Sequence, residues 1–295
     1  MKIGVIGAGK WGSALAFALC EKNEVFISSR TPRDVENFIP MQEILKFEYL
    51  VITIPAQQIS QWLQENFVYT NQKILVAAKG IEAHSGRFLN DIYAEHLPVE
   101  NIAFLSGPSF AIEVMQSLPT ALVINSLNEE LSKKFASFFP SFIKAYSSTD
   151  VMGAEVAGAY KNVIAIAAGV CEGLKLGKNA AASLISRGLV EMLRFGKVYG
   201  ASEDSFIGLS GAGDLFLTAS STMSRNFRVG LGLAEGKTQK EILEELGEVA
   251  EGIGTAYALH KIAKEKELYL PIAREVHALL EGKDPYRSLK DLLAN

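Results

Sequence analysis

The chain has 295 residues, 48% of them hydrophobic, and a net charge of −4. That length allows one large domain or two, with enough apolar side chains for a sizeable core. The acidic balance excludes a general positive field for nucleic acid, so any anionic ligand must be held by local cations.

The N-terminal apolar stretch is cut short by Lys10 and no cleavage site follows, so no export signal is expected. Residues 2–6 form a short apolar strand that runs into Gly7, Gly9, Lys10, Trp11 and Gly12, then into the apolar helical run 14–19. In that strand–turn–helix setting Gly7 allows the tight turn, Gly9 lets the backbone approach a pyrophosphate, and Gly12 lets helix and strand pack closely. Further strands are expected at 24–28, 49–54, 74–78 and 102–105, with weaker candidates at 121–124 and 144–146. Helical patterns such as 57–66 and 86–96 fill most gaps. Strands spaced by helices imply a parallel sheet covered on both faces, with ligands beyond the carboxyl ends of its strands. From Asp150 onward no convincing strand appears. Asp150 can cap a long helix through Cys171, and further helices are expected near 179–199, 213–223, 239–246, 255–266 and 271–281. The fold class is therefore α/β, with a Rossmann-type parallel-sheet domain at 1–148 followed by an all-α substrate domain at 149–295.

Cys20 and Cys171 lie in apolar helical runs and read as reduced core residues of a cytoplasmic protein. The apolar run 163–171 is too short to cross a bilayer, and the four histidines show no metal spacing.

Several polar groups break the apolar pattern at the expected strand ends and helix starts. Lys79 ends an apolar strand, and by itself reads equally as a solvated lysine. Ser106, Gly107, Pro108, Ser109 and Phe110 offer backbone N–H groups and two hydroxyls, either for an anion or carbonyl or simply for a capped turn. Lys161 and Asn162 interrupt a helix of small apolar residues, and an unpaired buried charge is costly, so Lys161 should face a ligand or partner unless it snorkels at the helix edge. Asp214 follows the Gly211-Ala212-Gly213 turn and needs no function as a helix cap. Arg225, between Ser224 and Asn226, offers a planar fork suited to phosphate, although in isolation it reads as a surface arginine. Val249 and Ala250 precede Glu251, which on its own reads as a helix end.

Taken in order, the motifs at 7–12, 79–82, 105–111, 161–169, 211–215 and 224–226 resemble the NAD(P)-dependent glycerol-3-phosphate dehydrogenases of bacteria, with the similarity running from Met1 to about Pro285. The resemblance implies interconversion of dihydroxyacetone phosphate and sn-glycerol 3-phosphate with NADPH or NADH, feeding phospholipid synthesis. It implies that Lys161 is the catalytic proton carrier and that Lys79 touches both substrate and nicotinamide. It further implies substrate contacts at Gly107, Ser109, Asp214, Ser224, Arg225 and Asn226, and cofactor contacts at Trp11, Arg30, Ala111, Val249, Glu251 and Arg225. The expected partner is a phosphorylated small molecule, with no nucleic acid, no metal and no membrane insertion; a homodimer is left open. Two departures stand out. Residues 31–48 are shorter than the family's usual segment between the second and third strands, which bears on the adenine pocket. Lys10 occupies a variable position of the glycine loop. Two other classes share the glycine loop: a different two-domain reductase of the 6-phosphogluconate or ketopantoate type, against which 107–110 and 224–226 argue, and a non-catalytic dinucleotide sensor, which would not need Lys79 and Lys161 together.

Overall fold

The computed structural model describes residues 1–294. In chain order its elements are β1 (Lys2–Ile6), α1 (Lys10–Cys20), β2 (Glu24–Ser28), α2 (Met41–Ile44), β3 (Tyr49–Ile52), α3 (Ile59–Asn66), β4 (Lys73–Val76), α4 (Leu89–Ala94), β5 (Ile102–Ser106), α5 (Ala111–Met115), β6 (Thr120–Asn125), α6 (Glu129–Ala136) and β7 (Ile143–Ser148). Then follow α7 (Val151–Gly173), α8 (Lys178–Val198), α9 (Glu203–Ile207), a π-helical turn at Leu209–Gly213, α10 (Asp214–Ala219), α11 (Arg225–Ala234), α12 (Gln239–Leu246), α13 (Glu251–Glu265), α14 (Pro271–Leu280) and α15 (Pro285–Ala294).

The seven strands form one sheet in the order β2-β1-β3-β4-β5-β6-β7. The sheet is not wholly parallel as expected, because β5 and β6 pair antiparallel. The reason lies in the connection. A parallel return needs a crossover along the length of the sheet, but α5 has only five residues. The chain therefore turns back at the end where β5 finished, while α6 carries β6 over to a parallel β7. Strand order reverses at β1, whose neighbours are β2 and β3, and that switch point places the glycine loop in the crevice where such sheets bind ligands.

Two apolar clusters cover the two faces of the sheet, and a third fills the helical half. The centre of that half is α7. Asp150 caps it, accepting from the Gly153 N–H at 2.9 Å, and also accepts from the Ser202 N–H and the Ser205 hydroxyl. It is apolar and 23 residues long, and α8, α10, α11, α13 and α14 pack around it while it leans on β5. The closest approach is between α7 and α11. A Cβ at Gly169 would lie 2.0 Å from the Phe227 carbonyl oxygen, so only glycine fits there.

Helices α9, α11 and α15 were not among the expected ones, and α13 starts at Glu251 rather than near 255. Cys171 is buried as expected, but Cys20 is exposed at the end of α1 and donates to the Phe17 carbonyl. The short segment after β2 runs back along its edge: the Ile27 N–H donates to the Asn37 carbonyl, and the Ile39 N–H donates to the Ile27 carbonyl, both at 3.0 Å.

Candidate active site

The glycine loop follows from local sterics. Gly7 sits at φ +110°, where a side chain is strained, and a Cβ there would meet Thr53 Oγ1 at 2.3 Å. Thr53 donates near the carbonyls of Ile6 and Gly7, pinning the turn to the end of β3. A Cβ at Gly12 would lie 1.8 Å from the Gly7 oxygen. Around Gly9, by contrast, no heavy atom lies within 4 Å of where a Cβ would be. That open cradle at the start of α1 fits the close approach of a dinucleotide pyrophosphate. Trp11 donates to the Ala77 carbonyl at 3.1 Å and ties α1 to the end of β4. Lys10 is exposed and pairs with Glu248 of the helical half. Arg30 is exposed just beyond β2, and Ser29 beside it donates to the Thr31 carbonyl.

The chemical centre is a buried carboxylate shared by two ammonium groups. Asp214 begins α10 and is 1% exposed. One of its oxygens lies 2.7 Å from Lys161 Nζ, the other 2.7 Å from Lys79 Nζ. Lys161 also donates to Thr218 Oγ1 at 2.9 Å, and Lys79 to the Gly107 carbonyl at 3.1 Å. Lys161 is 7% exposed, so the snorkelling alternative is excluded. Gly158, one turn before Lys161 on α7, is where the Lys79 stem passes: a Cβ there would press on its Cγ at 3.3 Å. Gly107 takes φ +102°, and Ser109 donates back to its carbonyl at 3.3 Å. Ala111 is the first residue of α5, directly after this loop.

Burial pushes the Lys161 ammonium down. Asp214 pushes back, Lys79 adds to the lowering, and the result is about 8. Burial would raise Asp214, but Lys161 and Lys79 outweigh it and hold the carboxyl below its ordinary range. Asp214 is thus ionised near neutral pH, and the Lys161 ammonium lies well below the ordinary lysine range.

The third group of residues lies on α11 and α13. Arg225 Nη1 is 3.5 Å from Glu248, the same carboxylate that pairs with Lys10. Its neighbours turn inward. Ser224 caps α11 by accepting from the Phe227 N–H, and Asn226 donates to Asn162 Oδ1 at 2.9 Å and accepts from the Gly252 N–H at 2.9 Å. Their amide and hydroxyl atoms hold α7, α11 and α13 in register behind Arg225. Glu251 accepts from the Ala56 N–H at 3.2 Å, but its second oxygen is buried with no partner. Burial raises its carboxyl, against the Ala56 bond and Arg225, to about 7. An orphaned buried acceptor next to Gly80 suits a donor on a ligand. Val249, 42% exposed, stands beside it. Lys79, Lys161, Asp214 and Gly107 therefore converge directly, whereas Arg30 lies apart beyond β2. Two residues were missed in the sequence. Thr218 stands four positions after Asp214, a helical spacing that gave a signal; Glu248 gave none.

The chain matches the family models for the N-terminal part of the NAD-dependent glycerol-3-phosphate dehydrogenases over residues 29–132 and for their C-terminal part over 150–291. It is 78% identical over 294 residues to the glycerol-3-phosphate dehydrogenase [NAD(P)+] of Sulfurimonas denitrificans, covering 100% of this chain and 99% of that one. It is 59% identical over 293 residues to a protein of that name from Campylobacter jejuni, covering 99% of each. The crystal structure of glycerol-3-phosphate dehydrogenase from Coxiella burnetii superposes with a TM-score of 0.90 at 31% identity, covering 100% of this chain and 99% of that one.

The electrostatics can be checked without turnover. In lysine side-chain NMR, Lys161 should titrate with a midpoint at about 8. In Asp214→Asn it should titrate lower, because burial and Lys79 then act unopposed. A midpoint in the ordinary lysine range in the wild type would contradict the buried geometry.

Proposed function

The chain belongs to the NAD-dependent glycerol-3-phosphate dehydrogenase family, and from that premise we propose that Lys161, Lys79 and Asp214 form its catalytic centre. The enzyme interconverts dihydroxyacetone phosphate and sn-glycerol 3-phosphate with NADH or NADPH. The reductive direction is consistent with supply of glycerol 3-phosphate to phospholipid synthesis. The observation that carries the site assignment is the single carboxylate gripping both lysines.

When bound, the nicotinamide supplies or takes the hydride. The protein's part is to orient the substrate and manage the oxygen's charge. In reduction, Lys161 Nζ gives its proton to the carbonyl oxygen as that oxygen becomes an alkoxide, and Lys79 stabilises the same charge. In oxidation the neutral Lys161 amine takes that proton. Asp214 stays ionised in both directions and fixes the two nitrogens. Gly107 and Ser109 border the substrate. Arg225 holds its phosphate, and Ser224 and Asn226 set the start of α11 from which Arg225 extends. Gly7, Gly9, Lys10, Trp11, Gly12, Ala111, Val249 and Glu251 line the cofactor's path, with Arg30 at its adenine end. On this reading residues 1–148 carry the cofactor and 149–295 the substrate, in the cytoplasm.

Lys161→Met should lower kcat about 10²–10⁴-fold, the usual worth of general acid–base catalysis, with the Kd for NADH nearly unchanged. A near-normal kcat would remove Lys161 from its role. Arg225→Ala should lower kcat/KM for dihydroxyacetone phosphate by roughly 30-fold. That is the low end for a truncated charge pair, chosen because the Arg225 side chain is 42% exposed. Phosphate-free dihydroxyacetone should be affected far less, and equal losses on both substrates would contradict a phosphate grip.

Cofactor preference rests on the end of β2, where no carboxylate stands to bind a ribose 2′-hydroxyl. Arg30 is placed to pair with a 2′-phosphate. NADPH should be used at least as well as NADH, and Arg30→Ala should weaken NADPH more than NADH in kcat/KM. Equal losses for both cofactors would show that Arg30 does not read the 2′-phosphate.

A further inference from the structure

Three buried polar residues recur every four positions where the π-helical turn passes into α10: Ser210, Asp214 and Thr218, at 4%, 1% and 5% exposure. Residues four apart on a helix lie on one face. Thr218 and Asp214 both meet Lys161. Ser210 reaches the other way, into the sheet, where its hydroxyl lies 2.7 Å from that of Ser106. Ser106 is the last residue of β5 and is itself buried. The next residue is Gly107, whose carbonyl accepts from Lys79.

The hydroxyl pair belongs to a satisfied network. Asn125 donates to Ser106 Oγ at 2.8 Å and reaches the Phe104 and Val123 carbonyls at 3.2 and 3.3 Å. The Val123 carbonyl is also 3.4 Å from Ser106 Oγ and accepts its hydrogen bond when Ser210 donates to Ser106. The turn that carries Ser210 is otherwise held by backbone: the Gly213 N–H donates to the Gly208 carbonyl at 3.1 Å, and Gly211 lies so close to Phe206 that a Cβ would come within 2.2 Å of its oxygen. Single π turns of this kind often mark functional sites. Here one hydroxyl pair stands next to both arms of the charged cluster. Gly107 is one residue from Ser106, and Asp214 is four residues from Ser210.

We propose that Ser210 is a positioning residue whose hydroxyl, bonded to Ser106, holds the Asp214 carboxylate between Lys79 and Lys161. Its consequence for catalysis rests on Lys161 being the proton carrier; its consequence for Lys161 itself does not. A carboxylate that backs away from an ammonium supports its charge less, so loosening Asp214 moves the Lys161 titration downward. An ordinary buried serine that merely fills space would leave that titration where it is.

Ser210→Ala is a clean probe, because Ser106 keeps Asn125 and Val123 and no buried group loses its last partner. With the full-length enzyme, the Lys161 midpoint seen by lysine NMR should fall by about half a pH unit, comparable to the loss of one hydrogen bond. The kcat for reduction of dihydroxyacetone phosphate should fall roughly 10-fold, as misplacement at a distance can do, with KM for NADH within about twofold of wild type. Ser106→Ala approaches the same link from the sheet and should move the Lys161 midpoint the same way. The double variant should add little to either single one, because the two share one interaction. An unmoved Lys161 midpoint in Ser210→Ala, or in Ser106→Ala should the first not fold, overturns the proposal. A lowered midpoint with unchanged kcat upholds the positioning and instead overturns the catalytic reading of Lys161.

Discussion

One buried carboxylate between two ammonium groups is the constraint around which this structure is arranged. Three charges out of water are tolerable only when they are paired and hydrogen-bonded at short range. Lys79 comes from the loop just beyond β4, Lys161 from the middle of α7, and Asp214 from the start of α10. None of these elements can shift without leaving a charge uncompensated. The sheet, the long central helix and the glycine-rich turn are therefore fixed relative to one another by electrostatics as well as by apolar packing. Burial brings Lys161 towards neutral pH against the pull of Asp214, while the two lysines keep that carboxylate ionised.

The glycines serve that arrangement at close quarters. Gly158 gives the Lys79 stem room to pass beside α7, and Gly169 and Gly230 let α7 and α11 touch backbone to backbone. Through that contact the position of Arg225, at the first turn of α11, is tied to the helix that carries Lys161. Asn162 and Asn226 join the same two helices through their side chains. Arg225 and Lys161 thus rest on one closely packed pair of helices rather than on separate loops.

Much of this was legible in the sequence, for identifiable reasons. The glycine loop, the strand ends and the out-of-place lysine in α7 each carry a local signal, and the motif order pointed to the family. What was not legible depends on distance or on packing. Lys79 and Asp214 are 135 positions apart, and nothing in the pattern says that one carboxylate serves both lysines. Helix α11 was missed because Gly230 and Gly232 lower its propensity, yet a Cβ at Gly230 would fall 2.0 Å from the Ile166 oxygen, so tight packing wins over propensity there. The antiparallel β6 was hidden because five helical residues and a loop read like any other crossover. Cys20 was assigned to the core because its helix is apolar, but it sits on the last turn, facing out.

The segment between β2 and α2 has a second effect, on how the enzyme behaves in a crowded solution. An open outer strand is a template for pairing with another chain. Residues 37–39 lie along β2 and take up the hydrogen bonds of Ile27. At the opposite margin, β7 presents Lys144 to solvent, a charge that resists edge-to-edge association. Both margins of the sheet are thereby guarded, one by covering backbone and the other by charge. The short connection is thus the covering device for the β2 margin as well as the carrier of Arg30.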